Sequence, residues 1–425
     1  MKRLAALLML MTALTAFPQT DTASAGKTPS PAERTMAAAN KLIEKNPKNF
    51  EAYNALALAL SRRARETSDV KFYTQAEETL KKSFGISPGN FDGERIRVWL
   101  LLGKHEFASA REEARKLNKK VPDDVMVYGF LTDANVELGK YQEAEDAAQM
   151  MLDLRPGNRP GLTRAAYLRE LFGDVDGALD LMNMAYQSTP PTEVEDAAWI
   201  TTQMAHLNLS VGKVAEAEAL LQRALMLFPD YHYALGNLAK VRIQQKRYAE
   251  AEDLLRKRYD AAPHAENLYE LAEALQLAGR TAEAGKAFEE FERKSLAETG
   301  IADNSNHELI LYYAGHAKRP DKALEVAKRE YARRHDGFTL DCYAWALHVN
   351  GQGAEARRQI ETALAVGIRN AMFYRHAGEI ALATGDRSAA ESYLRKSAEL
   401  NTTGSEQARG IPALLTQSAS GRVAQ

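Results

Sequence analysis

Eight of the nine histidines fall between His206 and His376, and towards the C-terminal end they are interleaved with carboxylates: His316, Asp341, His348, His376 and Glu379. Imidazole plus carboxylate is a donor set for transition metals. The spacing does not support that chemistry, because neither an H-E-x-x-H helix nor a Cys/His ligand pattern is present. Gly173-Asp-Val-Asp-Gly177 has part of a calcium-loop pattern but lacks the full ligand series and the closing glutamate. Turn formation accounts for it, as it does for Gly85-Ile-Ser-Pro-Gly89. Cys342 is the single cysteine, so no intrachain disulfide can form; on an apolar helix face it reads as a small buried hydrophobe. No G-x-S-x-G, Walker A or dinucleotide fingerprint occurs. The expectation is therefore no catalytic residue, no cofactor and no metal.

The elements that would position these residues are legible from punctuation. Prolines recur at Pro88, Pro122, Pro156, Pro190, Pro229 and Pro263, spaced by 34 residues except for one interval of 39. Twelve positions before each stands a small residue: Ala76, Ala110, Ala144, Ala178, Ala217 and Ala251. The prolines then lapse, but the ladder continues at Ala284, Ala323, Ala356 and Ala390. A glycine lies five residues before the alanine at Gly139, Gly173, Gly212, Gly279, Gly351 and Gly385. Glycine suits a tight turn, alanine lets two helix backbones approach, and proline ends a helix by pushing the residue before it out of the α region. Val211 to Pro229 shows the whole unit, with Leu221 and Ala224 continuing the apolar face.

This period, with small residues at the helix crossing and a terminal proline, resembles the tetratricopeptide repeat. The resemblance covers Thr35 to about Leu400 and implies an all-α, right-handed superhelical solenoid of about ten antiparallel helix pairs. Thr35 to Asn46 reads as an N-terminal cap. Extra residues at the unit opening Pro190-Pro191 and at Leu296 to Asn306 are expected to splay neighbouring units.

In such a solenoid the first helix of each pair lines the concave face. The inner positions are then Tyr167; Trp199, Thr202 and His206; Tyr233, Asn237 and Lys240; Tyr269 and Glu273; Glu308, Tyr312 and His316; Asp341, Trp345 and His348; Arg375, His376 and Glu379. Rigid amphipathic aromatics suit a groove that grips a peptide, and equally suit packing against neighbouring helices. Lys240, Asn237 and Arg375 are too scattered for the carboxylate clamp of some members of the family. The expected function is a non-catalytic scaffold for a protein or peptide partner. The alternative is a small ligand or metal bound by the C-terminal histidine, tyrosine and carboxylate positions.

The ends and the composition supply the setting. Residues 1–25 read as a secretory signal, with Lys2 and Arg3, an apolar run Leu4 to Phe17, and Ala23-Ser24-Ala25 as cleavage site. The run is too short for an uncleaved anchor, so export to a periplasmic or secreted location, without stable membrane insertion, is expected. Residues 26–34 read as a flexible leader, and residues 401–425 as a capping fragment, with Ile411-Pro-Ala-Leu-Leu415, and a disordered tail. A net charge of −2 without a basic block leaves no electrostatic footprint for nucleic acid.

Overall fold

The structure, a computed structural model, describes residues 29–67 and 69–400. The expected signal, the whole of the expected tail (residues 401–425) and residues 26–28 of the leader lie outside the described residues. The described residues fold as one helix, α1 (Pro31–Lys45), followed by ten antiparallel pairs. The first four are α2 (Phe50–Thr67) with α3 (Lys71–Ile86), α4 (Phe91–Gly103) with α5 (Phe107–Lys120), α6 (Val125–Glu137) with α7 (Tyr141–Leu154), and α8 (Arg159–Leu171) with α9 (Val175–Gln187). The middle three are α10 (Val194–Ser210) with α11 (Val214–Leu227), α12 (His232–Gln244) with α13 (Tyr248–Ala261), and α14 (Ala265–Leu277) with α15 (Thr281–Glu298). The last three are α16 (Asn306–Leu311) with α17 (Pro320–Tyr331), α18 (Gly337–Val349) with α19 (Gly353–Ala365), and α20 (Ala371–Ala383) with α21 (Arg387–Leu400). A π-helical turn, Tyr312–His316, extends α16. Among the described residues there is no strand, and no helix is long and apolar enough to cross a membrane.

Local chemistry explains the boundaries. Where a unit closes on Pro-Gly-Asn, the glycine takes a left-handed turn and the asparagine caps the next helix: Gly89 and Gly157 have φ of +69° and +71°. The Asn90 and Asn158 side chains then accept the backbone N–H of Gly93 and Gly161. The inter-helix turns obey the same steric rule, with Gly139, Gly212 and Gly351 at φ of +69°, +78° and +75°. Ser30 and Glu33 form a reciprocal capping box that starts α1. Helix therefore begins inside the segment 26–34 that reads as a flexible leader, and the Ser30 hydroxyl also donates to buried Glu66 at 2.6 Å. The leader expectation is corrected from Pro31 onward.

Every rung of the alanine ladder is buried, from Ala76 to Ala390. At these crossings a methyl group is what the interhelical gap holds. First helices of successive pairs also pack on one another, α2 on α4, α4 on α6, α6 on α8, α10 on α12 and α18 on α20. Second helices instead pack on their own partners and on the next first helix. The first helices thus form the inner layer, where the array is tighter.

The array curls far enough to touch itself. Ile368 and Phe373, both buried, enter one apolar cluster with Val136, Ala144, Ala148, Leu168 and Leu171, roughly 200 residues earlier. Backbone polarity is matched across this seam: the Arg369 N–H donates to the Leu171 carbonyl at 2.9 Å, and the Gly337 N–H to the Tyr141 hydroxyl at 2.9 Å. A second cross-contact ties α2 to α10 and α12. Arg65 donates to Glu195 and to Asp196, Tyr231 donates to Glu195 at 2.7 Å, and His232 Nε2 lies 3.1 Å from the Arg65 carbonyl oxygen.

Candidate functional site

Because the turns touch, part of the concave face is a half-open lumen. Its main cavity is about 450 Å³. Its walls come from α2 (Arg62, Arg65), α3 (Tyr73), α4 (Trp99), the following turn (His105), α6 (Asp133), α8 (Arg164), α12 (Tyr233), the start of α14 (His264, Glu266) and the loop before α16 (Asp303). Arg164 is fully spent, its Nε donating to Asp133 at 2.8 Å and its Nη1 to the Pro160 carbonyl at 3.1 Å. Burial works against the charge on Arg65, but Glu195, Tyr231 and Asp196 outweigh it and raise its pKa. Burial lowers the His105 imidazole and, aided by Asp303, raises the Tyr73 phenol; Tyr233 is pushed up to about 12, also chiefly by burial. At neutral pH the lumen thus presents the Arg65 guanidinium, a neutral His105 imidazole and the neutral Tyr73 and Tyr233 phenols.

A second region of the inner face is open. Tyr167, His206, Lys240 and Glu273 occupy equivalent positions on α8, α10, α12 and α14, eleven residues before each anchor alanine. The Tyr167 residue is 38% exposed, and the side chains of His206, Lys240 and Glu273 are 42%, 50% and 38% exposed. Their partners are peripheral: His206 Nε2 is 2.9 Å from Glu170, and Lys240 is 3.6 Å from Glu270.

Several residues expected on the groove are placed elsewhere. Tyr269 and Tyr312 are buried in one aromatic cluster with Phe288 and Phe291, where Tyr312 stacks on Phe288 at 5.2 Å. Their rings pack against those of Phe288 and Phe291, with Tyr312 standing at the start of the π-turn Tyr312–His316. His316 sits 4.4 Å from the Phe288 ring and 3.7 Å from Glu273. Asp341 is fully buried and accepts from His376 Nδ1 at 2.9 Å, and Trp345 stacks flat on His376 at 4.2 Å with His348 beside it at 5.0 Å. Arg375 donates to Glu379 at 2.9 Å, and the Asn237 side chain donates to the Tyr233 carbonyl at 3.0 Å. The donor set His316, Asp341, His348, His376 and Glu379 therefore divides into local couples. Among the described residues no group of three or more His, Cys, Asp or Glu side chains is arranged to hold a metal ion. Cys342 is buried, and burial with neighbouring Asp341 pushes its thiol up, away from the reactive thiolate.

The lumen residues other than Tyr233 lie outside the positions singled out from sequence. Three of them were within reach of the same rule: Arg65, Trp99 and Asp133 stand eleven residues before Ala76, Ala110 and Ala144. They continue at the N-terminal end the row that Tyr167 and His206 occupy.

These features define a helix-pair solenoid whose first helices form the inner layer. The chain carries tetratricopeptide repeats: profiles described as tetratricopeptide repeat match residues 38–69, 97–159, 209–264 and 344–404. Its fold is similar to that of the APC/C hetero-tetramer Cut9-Hcn1, at 14% identity and a TM-score of 0.47, covering 92% of this chain and 60% of that one. Human IFIT1, solved as a dimer with PPP-AAAA, is similar at 12% identity and a TM-score of 0.49, covering 87% of this chain and 95% of that one. PilW, a type IV pilus biogenesis factor, matches at 14% identity and a TM-score of 0.40, covering 49% of this chain and 92% of that one. No curated protein matches the sequence.

Proposed function

We propose that this chain is an exported, non-catalytic scaffold that binds a protein or peptide partner along the row Tyr167, His206, Lys240 and Glu273. The observation that carries this reading is the exposure of one register position on four successive inner helices, at residues that contribute little to the core. Rows of this kind read a partner one repeat at a time, and their mixture of phenol, imidazole, ammonium and carboxylate gives specificity without catalysis. Export rests on the sequence of residues 1–25.

The test is affinity capture from the native compartment with the double variant Tyr167→Ala/Lys240→Ala, beside Tyr269→Ala. The double variant should keep wild-type helicity and melting temperature yet lose the partner, whereas Tyr269→Ala should lose stability first. A folded double variant that retains every wild-type partner would overturn the reading.

A further inference from the structure

The lumen is built differently from the open row and calls for a different ligand. Its polar groups are incompletely satisfied, and they are of both signs. Arg65 gives one nitrogen to Glu195 and Asp196, but its Nε has no hydrogen-bond partner. The nearest carboxylate to Arg62 is Glu193, at 3.9 Å. On the other walls, Asp303 lies 3.7 Å from His105 Nδ1, and Glu266 has His264 at 3.9 Å and Arg258 at 3.8 Å. The Nδ1 atoms of His105 and His264 are both without a hydrogen-bond partner. Burying Arg65 Nε and the two imidazole Nδ1 atoms in this state is unfavourable unless something in the cavity answers them.

We infer that the lumen is a binding site for a zwitterion, a free α-amino acid or a peptide of a few residues. Its carboxylate meets Arg62 and Arg65, its ammonium meets Asp303 and Glu266, and its side chains lie against Tyr73, Trp99 and Tyr233. Charge balance selects this class. With Arg164 already paired to Asp133, the walls carry Arg62 and Arg65 against Glu266 and Asp303, so a polyphosphate would face two carboxylates and a polyamine two guanidiniums. A molecule with one charge of each sign answers both walls. Size selects it as well, since about 450 Å³ lies in the range of small-ligand cavities, about 300–1,000 Å³, and excludes a folded domain. Both charged ends free on so small a body is a property of amino acids and short peptides, not of a protein segment. This site continues the inner-face row at its N-terminal end but shares no residue with Tyr167, His206, Lys240 and Glu273, so variants of each can fail alone.

The test is isothermal titration of the full mature chain with leucine, then glycyl-leucine, glycyl-glycyl-leucine and the tetrapeptide. The best of these is repeated as its N-acetyl and C-amide forms, with pyrophosphate and spermidine as single-sign probes. One member of the length series should bind at one site per chain, and blocking either end should weaken it at least tenfold. Arg62→Ala should erase the discrimination against the C-amide, and Asp303→Asn that against the N-acetyl form. Both positions are at the cavity wall rather than in the apolar core, and circular dichroism checks that each variant is folded. Free and doubly blocked peptides binding alike, pyrophosphate or spermidine binding more tightly, or no heat from any probe up to millimolar concentration would each overturn the proposal and leave a water-filled lumen.

Discussion

Replacing Gly139 by alanine separates a turn that is merely left-handed from one that also touches the next turn of the superhelix. Gly139, at φ +69°, and Gly351, at φ +75°, are equivalent inter-helix glycines. An added Cβ therefore carries the same backbone penalty at both, about 1–2 kcal/mol. The surroundings differ. At Gly351 nothing lies within 4 Å of the added carbon, whereas at Gly139 it would sit 2.4 Å from the His335 carbonyl oxygen and 3.0 Å from its carbon. Backbone atoms cannot swing aside as a side-chain tip can, so the seam must slide or open, a further cost of about 1–3 kcal/mol by analogy with overpacked cores. Gly139→Ala should lose about twice the stability that Gly351→Ala loses in denaturant titrations. Small-angle scattering should show a larger radius of gyration for Gly139→Ala alone, because the lost contacts, Arg369 to Leu171 and Gly337 to Tyr141, hold the curl closed. Equal losses and identical scattering for the two variants would refute the argument that the turns meet across this seam.

Three further outcomes follow from the same geometry. Burial raises Glu137 at the seam to about 7, so it favours the folded state below the ordinary carboxylate range and loses that contribution as pH rises through 7. His307, lowered by burial to about 4, contributes fully above the ordinary imidazole value and loses it as pH falls towards 4; Glu137→Gln should therefore leave melting temperature rising with pH more steeply between pH 5 and 7 than in wild type. Lys246 takes the inter-helix turn position without a glycine, at φ +59°, so Lys246→Gly should stabilise the chain by about 1 kcal/mol, read from denaturant midpoints. Phe373 is fully buried in the seam cluster, and Phe373→Ala should cost about 3–5 kcal/mol and enlarge the molecule in scattering.

What could be read from the sequence follows from what each signal measures. The alanines and glycines report contacts within a unit, at fixed chain separation, and those contacts recur with the period; hence the buried ladder from Ala76 to Ala390 and the left-handed turns at Gly139, Gly212 and Gly351. The left-handed turn survives even where the sequence offers His105 or Lys246, so its geometry is imposed by the helix pair and glycine merely relieves it. Contacts between turns have no such period. Nothing about Arg65 announces Glu195, 130 residues away, and nothing about Gly139 announces His335. The lumen depends on those contacts, so its residues carry no local mark beyond their register, and that register alone also selects Tyr312, which is buried. Position in the repeat says which side chains face inward. Whether inward means a groove, a lumen or a core is decided by how tightly the array curls, and that is a sum of small rotations at every unit interface.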